Sequence, residues 1–371
     1  MIRLAVSMIA LSLFVMGLSV ALLKGFENAV KEKVQNLSAD LVLTAFHTED
    51  SYTTKGIDIN KISPFLDTTK IESFEKFAYQ PGLISGKFYS QAILAKGVNP
   101  ETTTKKWKNY LNAGTWLSSN SEAEEIVISQ KIAKNFDLKL GDSLSIFLVK
   151  EDKQYHKIRK IIGIYETGLP EIDEKIVFLP LTLLQKFNAW MDEDLVGGLE
   201  FFLKPNVNLI LFQKQLSYQL AYSYWLRNLQ EIYPHLFDWL SLLYQHVFLI
   251  LVLMFILGLI HVLAILLILI FENQERIRLL YQLGMSLGQI RKIFVQQVFW
   301  VLTRALLFGN LALIIVIFLQ QKFHFLTLNP DIYFIPYMAV EFDIFYLILI
   351  NFSIIGLSYL FLHIIAQKVL K

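Results

Sequence analysis

One run in the sequence comes near to phosphate chemistry: Gly82-Leu83-Ile84-Ser85-Gly86-Lys87-Phe88. A phosphate-cradling loop needs four residues between its glycines and a Ser or Thr after the lysine to hold magnesium. Here three residues separate the glycines and Phe88 takes the hydroxyl's place, so the run does not cradle phosphate in that way. The seven histidines, at 47, 156, 235, 246, 261, 324 and 363, are scattered without ligand spacing. H-E-x-x-H does not occur, and G-x-S-x-G occurs once, as Gly284-Met285-Ser286-Leu287-Gly288, between two helix-like runs and not on the strand-to-helix turn that a nucleophile elbow needs. Cysteine is absent, which removes disulfides, thiolate metal sites and cysteine nucleophiles together. The chain is therefore expected to be no enzyme, with no catalytic residue, no metal and no cofactor of its own. Its 34 Lys and Arg nearly balance 32 Asp and Glu, and no basic tract is interleaved with aromatics. Nucleic acid is excluded as a partner.

The remaining ionisable residues of interest lie in apolar sequence. His261 and Arg304 are awkward for lipid, and such residues normally face a bundle interior or a wet cavity. For each there is a plain alternative: Arg304 snorkels toward headgroups, and a neutral His261 hydrogen-bonds a neighbouring helix.

The elements that would hold these residues follow from the distribution of apolar residues. The chain has 371 residues, 54% hydrophobic and 18% charged, with a mean hydropathy of +0.47, too apolar for an ordinary soluble domain. Four blocks, Leu4 to Leu23, Leu240 to Phe271, Phe294 to Leu319 and Ile344 to Ala366, each exceed the roughly 20 residues that cross a hydrocarbon core. The expected fold is an integral membrane protein, four transmembrane α-helices with a large mixed α/β extracytoplasmic domain inserted between helices 1 and 2. The boundaries read as helix 1 over 1–24, outer domain 25–239, helix 2 with a stalk 240–271, cytoplasmic loop 272–292, helix 3 293–320, a short outer loop 321–342, and helix 4 with the C-terminus 343–371.

Positive charge sets the orientation. Arg3, the group Arg276, Arg278, Arg291 and Lys292, and the terminal Lys368 and Lys371 share one side if all four blocks span, which makes that side the cytoplasm. The competing reading of the first block is a cleaved signal peptide ending at Ser19-Val20-Ala21. Its apolar stretch is too long and its preceding segment too weakly charged for one. The second block, as a helix, is roughly 48 Å long against a core of about 30 Å, so part of it should project as a stalk, with tilt as the alternative.

Within the outer domain, strands are expected over Asp40 to Thr44, Gln91 to Val98, Glu125 to Ile128, Ser143 to Val149, Lys160 to Tyr165, Lys175 to Leu179 and Gly198 to Leu203. Helices are expected over Phe26 to Asn36, Ser129 to Phe136, Leu181 to Trp190 and Asn208 to Glu231. The cytoplasmic loop reads as a short amphipathic helix through Glu275, Arg276, Ile277, Arg278, Leu279, Leu280 and Leu283, closed by Gly284, with a second helix starting at Ser286. Such a helix either lies on anionic lipid or is pushed by a cytoplasmic motor.

From Glu272 to Leu307 the pattern E-x-x-x-R-I-R-L-L-Y-Q-L-G-M-S-L-G-Q-I-R-K-I-F-V-Q-Q resembles the stretch after the second span in ABC-transporter permeases of the FtsX-like, MacB-like superfamily. The region around Arg276 usually carries more basic residues. Glu125 to Ser129 through Leu140-Gly141-Asp142-Ser143, Gly163 to Asp173, Gln185 to Trp190, Val196 to Glu200, and Leu328 to Pro336 before Val340-Glu341-Phe342 are similar in order and spacing to the lipoprotein-releasing (Lol) permeases, particularly the Bacteroidota form. Each motif is weak alone; their order is specific, and the resemblance covers nearly the whole chain. Family members usually continue past the last span with a Pro-containing basic tail, a departure here at Lys371.

The resemblance implies a permease subunit of an ATP-driven, mechanotransmitting complex that extracts lipoproteins from the outer leaflet of the bacterial inner membrane and passes them to a periplasmic carrier. Its implied partners are a dimer of ABC ATPase subunits, which carry the ATP and magnesium, a second permease subunit, the lipoprotein, the carrier and membrane lipid. Implied roles are ATPase coupling for Glu275, Arg276, Ile277, Leu279, Leu280, Leu283 and Gly284. A carrier-binding hairpin is implied at Glu166, Gly168, Leu169, Pro170, Glu171 and Asp173, exposed between two strands. Acyl-chain contacts are implied at Leu13, Met16 and Val20 of the first span and Val252, Phe255 and Leu259 of the second. Two alternatives stand: a permease of the same architecture serving efflux coupling or cell-wall hydrolase control, and a sensor or scaffold without an ATPase.

Overall fold

The structure is a computed structural model that describes residues 2–46, 54–86, 89–118, 124–150, 153–333 and 335–369. Met1, His47, Lys87, Phe88 and Lys371 of the sequence reading lie outside the described residues. The chain divides into one unit of residues 1–30, 235–329 and 335–371 and a second of residues 31–234 and 330–334.

Elements follow in the order α1 (Ile2–Leu37), β1 (Leu41–Ala45), β2 (Ile57–Asp58), α2 (Ile59–Ile62), β3 (Ile71–Ser85), β4 (Ser90–Val98), α3 (Pro100–Trp107), β5 (Leu111–Gly114) and β6 (Glu125–Ser129). Then come α4 (Gln130–Asn135), β7 (Ser143–Lys150), β8 (Lys153–Tyr165), α5 (Pro170–Asp173), β9 (Ile176–Pro180), α6 (Leu181–Phe187), β10 (Leu195–Val196), β11 (Gly198–Leu203), α7 (Leu209–Gln219), β12 (Tyr224–Asn228) and α8 (Leu229–Ile232). The chain closes with α9 (Pro234–Glu272), α10 (Gln274–Gln282), α11 (Leu287–Phe323), α12 (Pro330–Tyr333) and α13 (Ile344–Val369).

The second unit is built on a mixed sheet of ten strands, ordered β12-β1-β11-β3-β4-β9-β6-β8-β5, with β7 paired to β3 and β8. Its pairs are mostly antiparallel; β4 with β9 and β6 with β8 are parallel. Parallel neighbours are covered on both faces, so their strands read as continuous apolar runs. Ile126, Val127 and Ile128 in β6, and Val177, Phe178 and Leu179 in β9, are accordingly all buried. The antiparallel β7 alternates instead: Leu144, Ile146 and Leu148 point into the core. Short helices are set by side-chain caps, as where Ser129 Oγ accepts the amide of Ile132 at 3.0 Å to start α4. Trp107 stacks on Trp116 and meets Tyr165 and Phe178 edge to face, with Trp116 tilted against Phe178.

Two sequence expectations are corrected here. The helix expected over Asn208 to Glu231 is broken: α7 ends at Gln219 and β12 pairs with β1. Tyr224 and Trp225 supply a short β signal that a helical reading of the window overlooked. Gly82, of the run rejected above as a phosphate cradle, lies within β3 and pairs with Ile93 and Leu148. The expected hairpin over Glu166 to Val177 is not a hairpin, because β8 and β9 both pair with β6 rather than with each other. The connection holds the short helix α5, and Leu169, Ile172 and Asp173 are buried.

In the first unit, α1, α9 and α11 are long and apolar enough to cross a membrane, and α13 has a described apolar stretch over Ile344–Leu360. The expected helix over Phe26 to Asn36 continues the first apolar block without interruption as α1, 36 residues long. At 39 residues, α9 is roughly 58 Å long, again beyond a hydrocarbon core of about 30 Å. The four helices share a core of Ile9, Leu13 and Met16, then Val262, Ile265, Leu266, Leu269 and Ile270 of α9, Phe294, Val298 and Leu302, and Ile354 with Leu362. Gly309 makes one close approach possible: a Cβ there would lie 2.8 Å from the Ala10 carbonyl oxygen and 3.1 Å from Leu13 Cβ, the small-residue packing that spanning helices use. Asn310 and Asn351 exchange amide hydrogen bonds of 3.0 and 3.3 Å between α11 and α13.

Candidate functional site

The first candidate site is the elbow between α9 and α11. Asn273 alone separates α9 from α10, its Nδ2 donating to the Leu269 carbonyl at 2.8 Å. The Arg276 guanidinium donates back to Asn273 Oδ1 at 3.2 Å. Gly284 ends α10 at φ +91°, a left-handed conformation that L side chains adopt only with strain. Two residues later Ser286 starts α11 with a reciprocal capping box to Gln289. Two strong local signals thus fix a sharp turn between two helices.

The faces of α10 are distinct. Ile277, Leu280 and Met285 pack against the four-helix core. Glu275, Arg276 and Arg278 point to solvent. So do Leu279 at 57% exposure, Tyr281 at 59% and Leu283 at 76%. Leu283 therefore does not share a face with Ile277 and Leu280: it is the C-cap of the helix, where helical spacing no longer applies. Apolar side chains exposed at the end of a polar helix suit contact with a partner protein or with lipid rather than catalysis. At the start of α10 lies a cleft of about 950 Å³ bordered by Glu272, Glu275, Arg276, Gln297, Trp300 and Arg304.

The six side chains expected to touch acyl chains are not brought to one surface. Leu13, Met16 and Val20 are buried at 3%, 2% and 7% exposure, with Leu13 and Met16 in the four-helix core. Within this chain that side of the first span packs inward against the other helices, and periodicity does not say which face of an apolar helix does so. On α9, Val252 is exposed, while Phe255 and Leu259 are half-buried, Phe255 against the same core. His261 is half-buried on α9, its Nδ1 without a hydrogen-bond partner among the described residues.

At the other end of this unit is a polar cluster that sequence reasoning missed. Lys24 Nζ lies 3.7 Å from Glu27 and over the rings of Tyr244 and Tyr346, at 5.8 and 5.5 Å. Tyr244 donates its hydroxyl proton to the buried Glu27, and Asn28 donates to Glu341. Only the Lys24 and Glu27 spacing was visible in the sequence; their partners come from α9 and from the approach to α13.

In the second unit the residues read as a carrier hook form a tight knot instead. The buried Asp173 carboxylate accepts the Thr167 hydroxyl at 2.8 Å, the Gly168 amide at 2.8 Å and the Thr167 amide at 3.1 Å. Burial raises its pKa, with those hydrogen bonds opposing. Lys33 donates to the Gly168 carbonyl at 3.2 Å, and burial lowers its pKa against the pull of Asp173 and Glu166. Of the residues named, Glu166 and Glu171 are exposed, Gly168 and Pro170 are half-buried, and Leu169 and Asp173 are buried. Across the sheet, Lys96 and Glu200 form a buried ion pair of 2.7 Å. Burial pulls the Lys96 ammonium down, but Glu200, with Tyr79 and Tyr233, outweighs it and holds the lysine above its ordinary value. Among the described residues no group of three His, Asp or Glu is placed to hold a metal.

A family model described as MacB-like periplasmic core domain matches residues 4–217. The chain is similar to the periplasmic region of MacB from Actinobacillus actinomycetemcomitans, with 13% identity and a TM-score of 0.38 over 53% of this chain and 91% of that one. It is also similar to the extracellular domain of the noncanonic ABC-type transporter YknZ from Gram-positive bacteria. There the identity is 12% and the TM-score 0.35, over 51% of this chain and 99% of that one.

Proposed function

The chain belongs to the family with a MacB-like periplasmic core domain, a permease-like member of the MacB/FtsX group whose family implies an ABC ATPase partner, and from that premise we propose that it is the permease subunit of a lipoprotein-releasing complex. In this reading four spans, α1, α9, α11 and α13, hold the chain in the inner membrane. The chain itself hydrolyses nothing and binds no cofactor. A separate ATPase dimer closes against α10, the elbow transmits the push along α9 and α11, and a second permease subunit completes the cavity from which a lipoprotein leaves for a periplasmic carrier.

The observation that carries the coupling role is the pair of faces on α10: Ile277 and Leu280 fix it to the bundle, while Leu279, Tyr281 and Leu283 stand free for a partner. The lipoprotein substrate is supported by the ordered motifs from Glu125 to Phe342. The energetic need supports it as well. Withdrawing an acyl chain from lipid costs about 0.8 kcal/mol per CH₂, so a multiply acylated protein leaves only with an external energy source. For the acyl path, the exposed side of α9 around Val252 takes the place of the buried face of α1. Affinity purification of the full chain in mild detergent tests the reading: an ATPase and acylated lipoprotein should be retained together. Retention of an ATPase with a cell-wall hydrolase or an efflux protein in place of lipoprotein would favour the other envelope roles. Retention of no ATPase would leave a sensor or scaffold.

A further inference from the structure

Between α1 and α11 runs an open groove of about 660 Å³, walled by Val6, Leu11, Phe14 and Phe308 and ending in two arginines, Arg3 and Arg304. No acidic residue borders it. Its volume falls within the roughly 300–1,000 Å³ of ordinary ligand pockets. Leu11 and Phe308, at 59% and 56% exposure, stand open on helices long and apolar enough to span, so the groove opens where acyl chains lie.

The two arginines belong to one end of it. Gly309 abuts Ala10 and Leu13, and Gly17 abuts Leu313, so α1 and α11 run parallel. Arg304 precedes Gly309 by about 7.5 Å of rise and Arg3 precedes Ala10 by about 10.5 Å, which sets them nearly level at the start of α1. Neither has an ion pair among the described residues, although Arg304 also borders the cleft of Glu272 and Glu275.

From this juxtaposition we propose that the groove between α1 and α11 binds an anionic phospholipid of the cytoplasmic leaflet, its acyl chain against Leu11, Phe14 and Phe308 and its phosphate between Arg3 and Arg304. Basic pockets between spanning helices on the cytoplasmic side are suited to such headgroups. The leaflet rests on the orientation adopted for the proposed function; the groove and its two cations do not. A lipid held there ties the first span to the elbow-bearing helix and is distinct from any acyl chain drawn from the outer leaflet.

The test places the full chain in nanodiscs of equal phosphatidylglycerol and phosphatidylcholine, then counts lipids retained per chain by native mass spectrometry after release into mild detergent. Phosphatidylglycerol should be retained in preference. Arg3→Ala and Arg304→Ala should each cut that preference about fivefold, and the double variant about thirtyfold, at roughly 1 kcal/mol per basic residue. Arg304→Lys should keep most of it, and Ala312→Trp, which fills the groove, should lower retention of both lipids with the arginines intact. Equal retention of the two lipids by the unaltered chain overturns the proposal. So does a preference that survives both the double variant and Ala312→Trp, or a disulfide between cysteines at Leu11 and Phe308 of two copies, which would make the groove a subunit contact. Labelling of a cysteine at Ser286 from outside intact cells would overturn the leaflet assignment and the adopted orientation, while the lipid counts still decide the groove.

Discussion

Lys96 and Glu200 show what a single buried pair contributes to this chain. Removing one partner of such a pair strands a charge and costs about 3–5 kcal/mol, whereas replacing both by apolar residues is often neutral or better. Lys96→Met should therefore lower the stability of the outer unit by that amount, and Lys96→Met with Glu200→Leu should restore most of it, read by urea unfolding of the full chain in detergent. The pH dependence has a definite sign. Because the folded-state pKa of Lys96 lies above its ordinary value, the pair's contribution is complete below the unfolded lysine pKa of about 10.4 and is lost as pH rises through the raised value. Asp173, also raised, acts at the acid end: its term favours folding most below the unfolded carboxylate range and fades as pH climbs through the folded value. Neither pair was legible in the sequence, since Lys96 and Glu200 are brought together by β3, to which both β4 and β11 pair, and the knot at Asp173 depends on a turn that spacing alone made look like a hairpin.

α10 was the element best read from sequence, because its start, its amphipathic period and its glycine stop are all local. What the sequence misplaced was its outermost residue: Leu283 belongs to the cap and faces solvent at 76% exposure. The faces make separable predictions. Leu279→Asp should abolish ATPase co-purification or stimulated hydrolysis while leaving thermal stability within about 0.5 kcal/mol, as a surface change does. Leu280→Asp should instead destabilise the bundle by burying an unpaired carboxylate, so loss of ATPase contact would come with a lowered melting temperature. Gly284→Ala should cost about 1–2 kcal/mol through its left-handed backbone, and Ser286→Ala about 1 kcal/mol through the lost cap. If Leu279→Asp and Leu280→Asp behave alike in both assays, the two-faced account of α10 is wrong. β12 was illegible for the opposite reason: its strand state is decided by a partner, β1, more than 170 positions earlier, and the short β signal of Tyr224 and Trp225 does not outweigh the helical period running in from α7.

For the whole molecule, composition and block length made the apolar helices and the inserted α/β unit legible, since span length and strand patterning are properties of the chain itself. Which side of each helix is buried was not, as the inward Leu13, Met16 and Val20 show; a helix apolar all round carries no mark of its neighbour. Orientation is checked by single cysteines at Ser118 and Ser286: an impermeant thiol reagent on intact cells should label the first and spare the second. The proposed function is tested most directly by release itself. The full chain with its co-purified ATPase is reconstituted in liposomes carrying a triacylated lipoprotein, and a soluble periplasmic carrier is added outside. Lipoprotein should move to the soluble fraction with ATP, and should stay in the membrane with a non-hydrolysable analogue or with Leu279→Asp. Lipoprotein that remains in the liposomes while the ATPase turns over would contradict a lipoprotein-releasing permease.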